Sequence, residues 1–171
     1  MLEKQKNTTK YYYYYLFSFN SLPSANQMNH RSTCPVSIAL DFIGDRWSLL
    51  IVRDLFVGRT TYSEMLEMPE AIATNILVDR LKKLIELDII VRTHAPNNNK
   101  TKYYHLTEKG IDLYPIICAL SAWARTHAGQ VEVHPLGLAQ WNSFDQLGIE
   151  GNIKQVSSDY RNKREEFLTQ A

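Results

Sequence analysis

The chain has 171 residues, enough for one domain with tails and a buried core, and its 44% apolar and 22% charged residues are ordinary for a globular protein. A formal net charge of +1 excludes a binder that works through bulk positive charge, so any nucleic-acid contact must come from a local patch. Cys34 and Cys118 lie far apart without CxxC spacing, which argues against a disulfide scaffold or structural zinc and fits a reducing cytoplasm; no apolar run reaches the roughly 18–20 residues that span a bilayer.

Residues 1–30 differ from the rest. Lys10 precedes Tyr11–Tyr15 and Leu16-Phe17-Ser18-Phe19, and a polar Ser/Asn/Pro stretch follows. Neither helical nor strand periodicity runs through them. Lys4, Lys6 and Lys10 ahead of an apolar patch have the outline of a secretory leader, but tyrosines make a poor apolar region and no small-residue cleavage site follows. Two readings stand: a disordered tail, or translation that starts at Met28. The intact mass of the natively expressed protein separates them.

Residues 31–128 form the organised body. Val36, Leu40 and Ile43 recur at helical spacing, with Gly44 as a stop. Asp45 is placed to cap a second helix, whose apolar face holds Trp47, Leu50, Ile51, Leu55 and Phe56 before Gly58. Thr61-Tyr62-Ser63-Glu64 opens a short third helix through Met68, broken at Pro69. A fourth helix covers about Thr74–Leu87, with Leu77, Leu81, Leu84 and Ile85 on one side. Ile89–His94 reads as a strand, Pro96–Lys100 as a turn and Lys102–Leu106 as a second strand. Thr107 caps a long helix with Leu113, Ile116, Ile117, Leu120, Trp123 and Ala124 on a stripe that also carries Cys118, and Pro115 should kink or split it. Residues 129–171 read as an extension of unknown role. Val131–Trp141 looks irregular and a charged helix is expected around Ser158–Leu168.

That order is the order of a winged helix-turn-helix, a mainly α (α+β) fold with a two-stranded β-wing and a long C-terminal dimerising helix. With the fourth helix as recognition helix and its leucines inward, Asn75, Asp79, Lys82 and Glu86 fall on the opposite face, with Val78 at the margin. Asn75 suits an adenine edge, Val78 a thymine methyl, Lys82 a phosphate, and Asp79 a cytosine amino group or a neighbouring cation such as Lys82 or Lys83. Asn98, Asn99, Lys100 and Lys102 form the wing tip, with Arg92 on the first strand. From Ala73 to His105, the cations Arg80, Lys82, Lys83, Arg92, Lys100 and Lys102 outnumber Asp79, Glu86 and Asp88 by three. Arg59, Thr61, Tyr62 and Ser63 before and within the third helix offer a cation, hydroxyls and free helix amides, a phosphate clamp. The other reading of these residues is a plain solvated face.

Cys34-Pro35-Val36, Ile43-Gly44-Asp45-Arg46-Trp47-Ser48-Leu49-Leu50-Ile51, Arg53-Asp54-Leu55, Tyr62-Ser63-Glu64, Ile72-Ala73-Thr74-Asn75-Ile76-Leu77, Arg80-Leu81 with Leu84, Leu106-Thr107-Glu108-Lys109-Gly110 and Trp123 make a specific set. Over about residues 33–128 the chain resembles the HxlR-type regulators, relatives of the MarR-like winged helices. The resemblance implies a homodimer built by first and last helices, binding an inverted-repeat operator in double-stranded DNA as a transcription regulator, by default a repressor. Many members carry Ser-Pro where this chain has Ala73-Thr74, so Thr74 is a candidate cap. Arg80 matches a family position but sits about 60° from the buried stripe, leaving a base contact and a bridge to an acidic neighbour both open. Cys34 matches the place of a sensing cysteine in several such regulators, which adds an oxidant or small-molecule effector to the expected partners. A thiol at a helix N-terminus is stabilised as thiolate, and the rival reading is a small residue packed in the dimer interface.

His30, His94, His105, His127 and His134 form no metal-binding pair, and no nucleophile elbow, P-loop or Rossmann pattern occurs, so neither an enzyme nor a cofactor is expected. The remaining alternative is a winged helix that binds protein rather than DNA. It predicts an apolar recognition face and no basic wing.

Overall fold

The computed structural model describes residues 32–95 and 98–170, without the side chains of 95–100 and 170. The expectations for residues 1–30, including a start at Met28, and for the turn at Pro96-Asn97 lie outside the described residues. The described residues divide into two units, before and after the Asp41-Phe42 junction.

In the first unit, helix α1 (Pro35–Ile43, running to the second unit's first residues) starts at Cys34, whose carbonyl accepts the Ile38 amide at 3.0 Å. The Cys34 amide donates to Ser32 Oγ at 3.0 Å. Cys34, Val36 and Leu40 are all exposed, so the predicted apolar face of this helix buries only Ile43.

The second unit opens with Asp45. Its Oδ1 accepts the amides of Trp47 (3.0 Å) and Ser48 (2.9 Å), holding the start of α2 (Ser48–Val57). Ile51, Val52 and Leu55 of α2 are completely buried, and Gly58 ends it in the left-handed conformation (φ 99°) that glycine adopts without strain. Next come α3 (Tyr62–Leu66) and α4 (Thr74–Glu86), the helix-turn-helix pair. Ala73, not Thr74, is the N-terminal flanking residue of α4; Thr74 is already helical and makes no cap. Leu77, Leu81 and Leu84 are buried as their spacing requires, whereas Ile85, expected beside them, is 36% exposed.

Strands β1 (Ile90–Ala95) and β2 (Asn98–Leu106) pair antiparallel from Ile90↔Leu106 to His94↔Lys102, with a register shift at His94/Ala95. Asn98, Asn99 and Lys100, read as turn, are strand backbone. At the shift Ala95 pairs with Asn98 rather than Thr101, so three residues of β2 are skipped and the strand backbone reaches into the expected turn. The predicted long helix is split. Thr107 caps α5 (Glu108–Ile111) by accepting the Gly110 amide, and α6 (Tyr114–His127) begins with Pro115 in its first turn, where a missing amide costs nothing.

Residues 131–134 are irregular as expected, but helix α7 (Pro135–Gln170) takes up the rest of the stretch expected to be irregular and extends far beyond the predicted Ser158–Leu168. Gly148 (φ 72°, ψ 165°) breaks it into arms 135–147 and 149–170. Pro135 again supplies a helix start rather than a break. The first arm packs on α6: Phe144 joins Tyr114 and Cys118, and Trp141 donates to Ser121 Oγ at 3.0 Å. From the second arm Tyr160 enters the main core beside Phe56, with ring centroids 5.0 Å apart. No helix among the described residues is long and apolar enough to cross a membrane.

Candidate nucleic-acid interface

The leucine stripe fixes the rotation of α4, so Asn75, Val78, Asp79, Lys82 and Glu86 face solvent, as does Thr74 at its N-terminus. Across from this face stands the hairpin. An open groove of about 1060 Å³ lies between them, lined by Tyr62 and Ser63 of α3, Val78, Lys82 and Ile85 of α4, and Val91, Arg92 and Lys102 of the strands. A concavity flanked by a helix face and a basic hairpin can seat a polyanion along its rims. The exposed Ile85 belongs to its floor.

Several predicted phosphate contacts are engaged inside the protein instead. Arg59 binds the fully buried Asp54 at 3.0 Å, and Arg53 holds the other oxygen of that carboxylate at 2.7 Å while also reaching Glu70. A carboxylate without solvent needs such partners. Thr61 and Glu64 form a reciprocal capping box. Thr61 Oγ accepts the Glu64 amide, and Glu64 Oε2 accepts the amides of Thr60 (2.9 Å) and Thr61 (2.8 Å). Partial burial works against the Glu64 charge, yet the bonds from Thr61 and Thr60 bring its carboxyl below the ordinary value. Of the amides expected to stand free, those of Thr60 and Thr61 are thus occupied by this chain's own carboxylate, and that of Glu64 by the Thr61 hydroxyl oxygen. Ser63 stays exposed, and the Tyr62 hydroxyl donates to the Thr74 carbonyl at 3.4 Å, tying α3 to the start of α4.

Arg80 takes the bridging option. Its guanidinium pairs with Asp45 at 3.2 Å and Asp79 at 2.8 Å, and Lys83 reaches Asp45 at 3.3 Å. The cation that balances Asp79 is therefore Arg80, not Lys82 or Lys83. Partial burial opposes ionisation of Asp45. Hydrogen bonds from the Ser48 hydroxyl, the Trp47 and Ser48 amides and Lys83 outweigh it and lower the carboxyl to about 2. Lys82 is 75% exposed, 3.8 Å from Glu86. On the hairpin Arg92 and Lys102 are exposed and make no ion pair among the described residues. Asn98, Asn99 and Lys100 bring their backbone to the β2 start, but their side chains lie outside the described residues.

A family model described as an HxlR-like helix-turn-helix matches residues 42–132. The chain belongs to the HxlR-like helix-turn-helix family. It is similar to an uncharacterized HTH-type transcriptional regulator of Mycobacterium tuberculosis (strain CDC 1551 / Oshkosh), 33% identical over 60% of this chain and 65% of that one. The chain thus spans just under two thirds of that relative. It is also similar to the HTH-type transcriptional regulator YodB of Bacillus subtilis, 34% identical over 53% of this chain and 82% of YodB. The structure of the redox regulator HypR in its oxidized form superposes with a TM-score of 0.51 at 26% identity, covering 58% of this chain and all (100%) of that one.

In this HxlR-like chain the most recognisable stretches build the frame. Asp45 of the Gly44-Asp45-Arg46-Trp47 stretch caps α2 and pins α4, while Arg46 lies over the Trp47 ring, 5.1 Å from its centre. In Leu106-Thr107-Glu108-Lys109-Gly110, Thr107 caps, Lys109 donates to the Leu87 carbonyl at 2.7 Å, and Gly110 lies against the Ile89 carbonyl oxygen so closely that a methyl would not fit. Sequence reasoning passed over Glu64 and the Arg53–Asp54–Arg59–Glu70 network. The Thr61-x-x-Glu64 spacing signals the first; no local pattern signals a carboxylate paired across 17 residues. Cys118 is completely buried, and burial pushes its thiol up to about 11, as suits a packing residue.

Proposed function

We propose that this chain is a DNA-binding transcription regulator that acts as a homodimer on an inverted-repeat operator, by default as a repressor in the cytoplasm. The observation that carries the reading is the joint exposure of Val78 and Lys82 on α4 and of Arg92 and Lys102 on the facing hairpin, across one groove, with Asn75 exposed on the same helix nearer its start. Asn75 and Val78 have the chemistry to read bases, with Thr74 and Ser63 as hydroxyl contacts, while Lys82, Lys100, Lys102 and Arg92 suit phosphates. Arg59, Thr61, Arg80 and Lys83 act behind that surface as supports. The relatives' names as HTH-type transcriptional regulators favour the same reading.

Dimerisation is supported by an apolar stripe on α6. Ile116, Leu120 and Trp123, at i, i+4 and i+7, are 39%, 53% and 64% exposed. Thiol sensing through Cys34 draws on its exposed place at a helix N-terminus and on the likeness to a redox regulator.

The test is fluorescence anisotropy with duplex from upstream of the chain's own gene. Lys102→Ala and Lys100→Ala should bind more weakly on every sequence, each with a salt slope shallower by about one unit, whereas Asn75→Ala should lose discrimination between sequences. Wild-type behaviour in all three variants would place the DNA surface elsewhere. For the thiol, operator affinity of wild type and Cys34→Ser is compared before and after diamide; equal loss in both removes Cys34 from the mechanism.

A further inference from the structure

Arm 149–170 of α7 lies beyond the family match, and we propose that it positions the hairpin for DNA: Tyr160 and Arg164 hold the outer edge of β2 and Phe167 packs on its face, so alignment of the wing depends on them. The inference rests on the DNA-binding reading above.

Backbone groups along a strand alternate between its two edges. The Tyr104 amide turns away from β1 and donates to the Thr60 carbonyl at 2.7 Å. Leu106, two residues on, turns the same way. Its amide donates to the Tyr160 hydroxyl oxygen at 2.8 Å, and its carbonyl accepts from Arg164 Nη1 at 2.9 Å. The outer edge of β2 is therefore closed at its middle by Thr60 and at its base by two side chains of α7. An edge left open would fray or pair with another chain.

The same helix face reaches further. Tyr160, Arg164 and Phe167 are spaced i, i+4 and i+7, so they lie on one side of the arm. Phe167 packs on Tyr103 and His105, with ring centroids 5.0 Å and 4.6 Å away. These two side chains leave β2 on the face opposite to Tyr104 and Leu106. Tyr103 is also the bridge partner of Thr61, the residue that caps α3. Arg164 Nη2 and Arg161 Nε hold the two oxygens of Glu108, at 2.6 Å and 2.8 Å, just beyond the strand. One helix arm thus grips the base of the wing from its edge and from its face. Tyr160 is anchored in the core, so the grip transmits the core's rigidity to a two-stranded ribbon that alone would be marginal.

Phe167→Ala, Phe167→Tyr and Tyr160→Phe test the assignment by duplex anisotropy across a salt series and by backbone hydrogen exchange of the free protein. Phe167→Ala should bind roughly fivefold more weakly, as when the aligned wing falls to about a fifth of the population, with a shallower salt slope. Exchange should rise at Tyr103–Leu106 and stay unchanged in α4. Phe167→Tyr, which keeps the ring, should restore both, and Tyr160→Phe should raise exchange at Leu106. Wild-type exchange and binding in Phe167→Ala and Tyr160→Phe would overturn the proposal, as would exchange rising uniformly through the chain. Local exchange in a protein that binds no duplex refutes the DNA reading and removes the wing's function with it. Normal exchange in a variant that still binds DNA refutes the positioning role alone.

Discussion

Asp45 offers the sharpest test of how α4 is held. Its carboxyl is lowered to about 2 from 3.8, a difference that converts to about 2.5 kcal/mol of stability at neutral pH if fully realised. The side chain is 23% exposed, so screening leaves about 1–2 kcal/mol. A carboxyl lowered by folding contributes above its unfolded value of 3.8, and the contribution is lost as pH falls through about 2. Close to half should be gone by about pH 3. Asp45→Asn keeps an acceptor for the Trp47 and Ser48 amides but loses the charge facing Arg80 and Lys83. Urea unfolding of wild type and Asp45→Asn at pH 7, 5, 4 and 3 measures the difference directly, since the other carboxylates are common to both. The variant should be about 1–2 kcal/mol less stable at pH 7 and 5, with the gap narrowing markedly by pH 3. A gap that stays constant over the range would show that the ionised carboxylate contributes nothing, and the account of α4's anchoring would fall.

Gly110→Ala drives a methyl into the Ile89 carbonyl oxygen, and thermal unfolding should show a loss of about 1–3 kcal/mol; an unchanged midpoint would mean that α5 shifts freely. Leu120→Glu places a charge in the exposed stripe of α6. Under the proposed homodimer, sedimentation equilibrium should find a dimeric wild type and a monomeric variant, and an intact variant dimer would move the interface off this stripe. Burial, with the Arg164 charge beside it, holds the His105 imidazole below its ordinary 6.5. The unfolded chain then takes up the proton more readily, so wild type should lose stability as pH falls through 6.5. His105→Phe should lack that part of the slope between pH 7.5 and 5.5; identical slopes would show that His105 does not titrate differently on folding.

The helix-turn-helix and hairpin were legible because their signals are local. The leucine spacing of α4, the glycine after α2 and the β-branched run of β1 each specify an element within one or two turns of chain. What could not be read were the pairings across distance. Arg80 and Lys83 look like phosphate contacts until Asp45, 35 and 38 residues earlier, is brought beside them. Thr61 and Arg59 look available until Glu64 and Asp54 claim them. Helix α7 was expected only around Ser158–Leu168, and its first arm was hidden because Pro135 and Gly137 read as loop signals although Pro135 starts the helix. The inward stripe of its second arm, Ile153, Val156, Tyr160, Arg164 and Phe167, has helical spacing, but Tyr160 and Arg164 interrupt the apolar pattern. They do so because they satisfy the polar groups of Leu106 rather than fill volume.

The internal pairing of cations also changes where binding strength should reside. Counted by sequence, the region from Ala73 to His105 carries its positive excess on helix and hairpin alike. In the structure Arg80 and Lys83 are neutralised by Asp45 and Asp79, and Lys82 has Glu86 nearby, whereas Arg92 and Lys102 remain exposed without an ion pair among the described residues. The helix is left nearly neutral outward, with an amide and a methyl surface at Asn75 and Val78, and the hairpin carries the charge. Under the DNA-binding reading, sequence discrimination then belongs to α4 and the salt-dependent affinity to the wing, so the two become separable by mutation. A chain that divides the work in this way has reason to hold its wing firmly. A frayed hairpin would forfeit the affinity while the reading surface stayed intact, and the second arm of α7 is the element placed to prevent it.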